Sequence, residues 1–149
     1  MKDLSEHGVT AAIIKHLKST MGKTDGVLEV GCGTGEFAAI LKDAGISKYH
    51  GSDGSAEKIK AAKKRVQGYG KRFHVADPKT EAAYKFKRDV LVLLNGVDFA
   101  NISKGQRLVL VTREASSWGD ACSLLSPYFV KGATTIQHGP FFVTYGTRA

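Results

Sequence analysis

The segment Val27-Leu28-Glu29-Val30-Gly31-Cys32-Gly33-Thr34-Gly35-Glu36-Phe37 restricts this chain to a narrow set of folds. An apolar strand runs directly into three alternate glycines and then into residues at helical spacing. Glycine at such a turn lets bare backbone N–H groups approach a ligand, because no Cβ intervenes. A strand, tight turn and helix of this kind is one unit of an α/β domain, with a nucleotide-like ligand expected at the turn. The spacing narrows the ligand further. A dinucleotide fingerprint reads G-x-G-x-x-G, whereas Gly31, Gly33 and Gly35 stand at alternate positions, with Glu29 two residues ahead of the first. A carboxylate within an apolar strand must be paired or exposed, so Glu29 points to the ligand site more than to a purely structural role.

Periodicity carries the α/β pattern along the chain. Val9, Ile13, Leu17 and Met21 recur at every fourth position and predict an amphipathic helix within residues 1–22. Phe37, Ile40, Leu41 and Ala44 predict a second helix, stopped by Gly45. Ser47 to Asp53 reads as a short strand, Ser55 as the N-cap of a helix with Ile59, Ala62 and Val66 inward, and Arg72 to Pro78 as a strand reaching Asp77. Asp89 to Leu94 is an unbroken apolar run, as expected of a strand covered on both faces of a parallel sheet, and Leu108 to Val111 repeats it. Trp118, Ala121, Cys122 and Leu125 form the stripe of a late helix closed by Pro127. Thr134 to His138, Gly139-Pro140 and Phe141 to Tyr145 then read as a hairpin. At 149 residues the chain makes a single domain, with 26–149 as its core and 1–22 as a leading helix able to cover the site.

Glu29 followed by Gly31-x-Gly33-x-Gly35 resembles motif I of the class I S-adenosylmethionine-dependent methyltransferases. Asp53, at a strand end about twenty residues beyond the glycines, is similar to the family's motif II acid, whose carboxylate accepts the ribose hydroxyls. Asp77 matches the residue that often reaches the adenine amino group. The resemblance implies an α/β three-layer sandwich around a mostly parallel seven-stranded sheet that ends in an antiparallel hairpin. It implies S-adenosylmethionine as cofactor, S-adenosylhomocysteine as product, and a cofactor site built from Glu29, Gly31, Cys32, Gly33, Gly35, Asp53, Gly54, Asp77 and Asn95. An Asp after a strand also caps helices and starts turns, so Asp77 in particular has a plain structural alternative.

The sulfonium of this cofactor is already an activated electrophile, so the protein must place a nucleophile in line and exclude water. A base is needed only where the acceptor atom must lose a proton. After the fourth strand, Leu94-Asn95-Gly96-Val97-Asp98-Phe99 lacks the Asn/Asp-Pro-Pro-Tyr signature of amino-group methylation. No Pro-Cys pair follows that strand, and the Lys-Asp-Lys-Glu set of ribose methylation cannot be assembled. Substrate-side candidates are therefore positional: His7, Asp98, Arg113 and Trp118, at or over the carboxyl edge of the sheet. His16, His50, His74 and His138 are scattered. Cys32 and Cys122 have neither metal-ligand nor disulfide spacing, and no metal is expected.

The net charge of +8 is concentrated. Between Lys58 and Arg88 eleven Lys/Arg face only Asp77 and Glu81, so this segment suits a nucleic-acid backbone, an acidic protein or simple solvation. No apolar run approaches a membrane span and no signal-peptide pattern opens the chain, which predicts a cytoplasmic protein without membrane contact. Only about a dozen residues separate the fourth and fifth strands, leaving no room for an inserted substrate domain. The acceptor is then large enough to supply its own cover, or a second subunit in a homo-oligomer completes the site. Three alternatives stand beside methyl transfer: a catalytically silent S-adenosylmethionine-binding subunit, an NAD-binding oxidoreductase, and a nucleic-acid-binding module.

Overall fold

The computed structural model describes residues 1–84, 89–94, 101–113 and 130–149. Its elements are α1 (Lys2–Glu6), α2 (Val9–Thr20), β1 (Val27–Val30), α3 (Glu36–Asp43), β2 (Tyr49–Asp53), α4 (Ala56–Arg65), β3 (Phe73–Val75), β4 (Val90–Leu93), β5 (Arg107–Arg113), β6 (Val130–His138) and β7 (Phe141–Arg148), with single 3-10 turns at Gly70–Arg72 and Glu81–Tyr84. The strands form one seven-stranded sheet in the order β3-β2-β1-β4-β5-β7-β6. The first five are mutually parallel, while β7 runs antiparallel to both β5 and β6. This is the class I methyltransferase arrangement that the sequence implies.

The central strands show why their sequences are continuously apolar. Val27, Val90, Val92, Val109 and Val111 join the core beneath α2, α3 and α4, whereas Leu28, Val30, Leu91, Leu93, Leu108 and Leu110 join a second core on the opposite face. Side chains alternate between faces with period two, and both faces are covered, so these positions are apolar, with Glu29 of β1 the exception. The helices contribute one stripe each: Val9, Ile13 and Leu17 from α2, Phe37 and Leu41 from α3, Ile59 and Ala62 from α4. Full burial of one such aliphatic or aromatic side chain is worth roughly 1.5–3 kcal/mol.

Ser55 caps α4 as its sequence predicts, its Oγ accepting from Lys58 N at 3.3 Å. The leading segment differs from a single helix over 1–22, since it breaks at His7-Gly8 into α1 and α2. The third strand is shorter than expected, spanning three residues, because Arg72 belongs to a 3-10 turn and Pro78 has no N–H with which to continue a ladder. Asp77 therefore lies in the turn beyond β3. The hairpin strands are longer than expected, with a register shift between Lys131 and Thr134 in β6. The predicted late helix around Trp118 and Cys122 lies outside the described residues. Among the described residues no helix is long and apolar enough to cross a membrane.

Candidate cofactor site at the glycine turn

β1 carries Glu29 between β2 and β4, opposite Gly51 on one side and Val92 on the other. The residue is 1% exposed. Its Oε1 accepts a hydrogen bond of 2.6 Å from the Tyr49 hydroxyl. That contact depends on Gly51, two residues after Tyr49 on the same face of β2, because a Cβ there would collide with the Tyr49 hydroxyl and lie 3.0 Å from Cys32 Cβ. Burial drives the Glu29 carboxyl up to about 8; the Tyr49 hydrogen bond opposes this, and the Asp53 charge adds to it. The same burial raises the Cys32 thiol, with the negative charges of Glu29 and Asp53 reinforcing it. Cys32 is thus a packed thiol and not an activated nucleophile.

The turn itself is folded onto the end of β2. Gly31 N and Cys32 N both donate to the Ser52 carbonyl at 2.8 Å, and Gly35 N donates to the Cys32 carbonyl at 3.1 Å. Gly33 N donates to Asp53 Oδ2 at 3.0 Å, while Ser55 N donates to Asp53 Oδ1 at 2.9 Å. A carboxylate offers about four acceptor positions. Two are occupied here, and the remaining two equal the number that a ribose diol presents.

The glycines have different reasons to be glycine. Gly33 has φ +56 and a Cβ built on it meets nothing within 4 Å, so the space over the turn is open to a ligand. Gly35 has φ +80, and its Cβ would lie 3.0 Å from Ala62 Cβ and 3.4 Å from the Phe73 ring, so it seats α3 against α4. Gly54 adjoins the turn after β3: a Cβ there would fall 3.6 Å from Pro78 and 3.9 Å from Asp77 Cα. The structure therefore brings Glu29, Gly31, Cys32, Gly33, Gly35 and Asp53 to one strand-end turn, with Gly54 and Asp77 beside each other at its flank. Asp77 is exposed and caps its own turn, Oδ1 accepting from Lys79 N at 2.9 Å. Asn95, Asp98 and Trp118 lie outside the described residues.

His7 and Arg113 meet at the carboxyl end of β5, beside the first residue of β7. The His7 ring stands edge-on to Phe141 with centroids 5.7 Å apart, and the Arg113 guanidinium lies 5.1 Å above the same ring while reaching Asp3 at 3.4 Å. At the other end of α1 the Met1 amine is 3.9 Å from Glu36, the first residue of α3. α1 thus stretches from the helix that follows the glycine turn to the β5–β7 edge. Of the other histidines, His50 and His74 face each other across β2 and β3 at 3.1 Å and His16 stacks on Tyr145 at 3.9 Å, away from this point, whereas His138, the last residue of β6, pairs with Phe141 and is followed by Gly139, which abuts the His7 ring. Among the described residues no cluster of His, Cys, Asp and Glu is arranged to hold a metal ion.

Sequence reasoning missed Tyr49, Gly51 and Ser52. Tyr49 and Gly51 carry a readable signal, a large hydroxylated side chain and a glycine two residues apart in a strand beside an apolar strand with one acid. The Ser52 contribution is a main-chain carbonyl, to which no side chain points.

A family model for a methyltransferase domain matches residues 27–112, from the first residue of β1 almost to the end of β5. None of the curated proteins matches the chain. Among solved structures the fold is similar to magnesium protoporphyrin IX methyltransferase from Synechocystis PCC 6803 with bound SAM, at TM-score 0.66 and 18% identity, covering 98% of this chain and 81% of that one. It is similar to Thermoplasma acidophilum 1320 at TM-score 0.66 and 19% identity, covering 94% and 85% of the two chains. An RNA methyltransferase from Salinibacter ruber in complex with S-adenosyl-L-homocysteine gives TM-score 0.59 and 16% identity, covering 92% and 90%. At such identities the likeness speaks to the fold, and the family match extends over more than half of the sequence, including the glycine turn. Strand order, turn geometry and family match agree: the chain belongs to the class I S-adenosylmethionine-dependent methyltransferases.

Proposed function

We propose that this protein transfers a methyl group from S-adenosylmethionine to an acceptor brought to the carboxyl edge of the sheet, with the cofactor held at the Gly31–Gly35 turn. The observation that carries the proposal is the pairing of Asp53 with Gly33 N at 3.0 Å beside open space at Gly33. The carboxylate both fixes the turn and keeps acceptor positions for hydroxyl groups, so the residues present fit a ribose-bearing ligand. Glu29 lies behind the turn as a buried carboxyl that suits an ammonium group, since a cation beside it offsets the cost of ionising in the interior. When bound, the cofactor supplies a sulfonium-activated methyl group.

The chain's own contribution is then orientation and exclusion of water. Asp53 and the main chain at Gly33 set the ligand's position. Gly35 fixes the turn by locking α3 onto α4. α1, fastened at Glu36 and at Arg113, covers the edge, and His7 and Arg113 face the acceptor side of it. Asp77 is placed beside Gly54 to meet the base end of the ligand. In-line transfer to an already nucleophilic atom needs no base from the protein. Calorimetric titration of the purified protein decides the reading: saturable binding of S-adenosylhomocysteine in preference to NAD supports it, and NAD binding without any response to S-adenosylhomocysteine overturns it.

A further inference from the structure

Between Ser55 and Val75 the chain carries Lys58, Lys60, Lys63, Lys64, Arg65, Lys71 and Arg72 against a single carboxylate, Glu57. α4 buries Ile59 and Ala62, and all five of its cations are exposed. No Lys or Arg of this set forms an ion pair among the described residues. The two arginines are held by the fold. Arg65 Nε donates to the Thr34 carbonyl at 3.0 Å, and Arg72 donates to the Ser47 carbonyl while lying 4.1 Å from the Tyr69 ring centroid. An open groove of about 750 Å³ adjoins the helix, lined by Lys63, Gly68, Gly70, Lys71, Arg72 and His74.

Protection of the sheet edge does not account for this charge. Gatekeeping cations stand on the edge strand itself, whereas β3 reads Phe73-His74-Val75, and its Val75 is 55% exposed. The cations occupy the helix and the turn before that strand instead. We propose that this face is a docking surface for a nucleic-acid duplex, gripped through its phosphates. A helix of ten residues is about 15 Å long, enough to follow roughly four phosphates of one strand at about 3.4 Å each. A duplex fits better than a single strand. Tyr69 and Phe73 are buried, and the half-buried ring of His74 is already stacked with His50 at 5.4 Å between centroids, so unpaired bases find no open stacking platform. An acidic protein would be anchored by Trp, Tyr or Arg at a desolvated centre; here Tyr69 is buried, Arg65 and Arg72 are engaged with main-chain carbonyls, and Val75 is the one exposed large apolar residue between 55 and 75. The face borders the glycine turn through Arg65 on Thr34 and Ala62 against Gly35, so a docked duplex lies beside that turn. Phosphate binding requires no methyl transfer, and the two readings fail separately.

The test is fluorescence anisotropy of the purified protein with labelled duplex RNA and duplex DNA of about 20 base pairs, over about 50 to 200 mM salt. Single strands of the same length and poly-glutamate serve as competitors. K60E/K63E/K64E changes the α4 face, and K15E/K18E/K131E makes the same charge change on exposed positions of α2 and β6. The expected result is duplex binding that the α4 triple weakens by at least about tenfold, with a log–log salt slope smaller by about 2.7, while the distant triple stays within about twofold. S-adenosylhomocysteine affinity and the thermal transition should be unchanged in both. K60Q/K63Q/K64Q replaces the Glu triple if that variant does not fold. Equal losses in the two triples, no loss in the α4 triple, single strands binding as tightly as duplex, or displacement by poly-glutamate at equal charge would each overturn the proposal.

Discussion

Replacing Glu29 by Gln should make the ligand-free protein more stable at neutral pH, although the residue lies directly behind the glycine turn. The Glu29 carboxyl is fully buried and held up to about 8, against 4.5 for an ordinary glutamate, with burial as the main cause and Asp53 as a lesser one. Folded Glu29 therefore keeps a proton that the unfolded chain releases. A group raised in the folded state contributes its full stability below about pH 4.5, and that contribution fades as pH climbs toward 8. Between about pH 4.5 and pH 7 the loss amounts to about 3 kcal/mol, a large share of a small domain's total stability. Gln has the same shape, retains an acceptor for the Tyr49 hydroxyl and carries no titrating proton, so Glu29→Gln escapes the loss. Urea unfolding of parent and variant across this range gives the measurement, and every other titrating group is common to both proteins. The difference between the two curves should widen by about 3 kcal/mol from the acid end to neutrality; parallel curves refute the reasoning. The same carboxyl predicts proton release on binding. Should the ligand's ammonium sit beside Glu29, titration with S-adenosylhomocysteine near neutral pH should show an enthalpy that varies with the buffer's ionisation enthalpy, and Glu29→Gln should remove that variation.

Gly35→Ala should destabilise the fold by about 2–4 kcal/mol, combining a left-handed backbone with a Cβ pressed against Ala62, whereas Gly33→Ala should cost about 1–2 kcal/mol and chiefly abolish S-adenosylhomocysteine binding. Denaturant unfolding and calorimetry of both variants separate the two roles, and equal stability losses would show that the roles are not distinct. Asp53→Ala leaves Gly33 N and Ser55 N without acceptors, so it should lower stability and weaken S-adenosylhomocysteine binding by about 1–3 kcal/mol each. Unchanged affinity in a folded variant would reduce Asp53 to a turn residue. Gly51→Ala should displace the Tyr49 hydroxyl from Glu29, and a crystal structure or the tyrosine absorbance titration of the variant reads that directly.

What the sequence discloses and what it conceals follow one physical division. β1, β4 and β5 were legible because both faces are covered, which leaves an apolar run, broken in β1 only by Glu29, as a one-dimensional trace of a three-dimensional environment. Gly31, Gly33 and Gly35 were legible as a turn for the same reason, their spacing being local. Their separate duties were not, because the Cβ that Gly35 cannot carry would meet Ala62 and Phe73, which lie 27 and 38 residues later. Asp53 was readable as an acid at a strand end, yet its bond to Gly33 across 20 residues depends on β2 lying beside β1. Glu29 shows the same limit most clearly. An acid in an apolar strand announces that something must answer it, but the answer, Tyr49 over the bare Cα of Gly51, requires parallel pairing of Glu29 with Gly51. The carboxyl edge of the sheet offers no such period. His7 and Arg113 were assignable to that edge by position, and their meeting over Phe141 became visible only once β7 was placed antiparallel to β5.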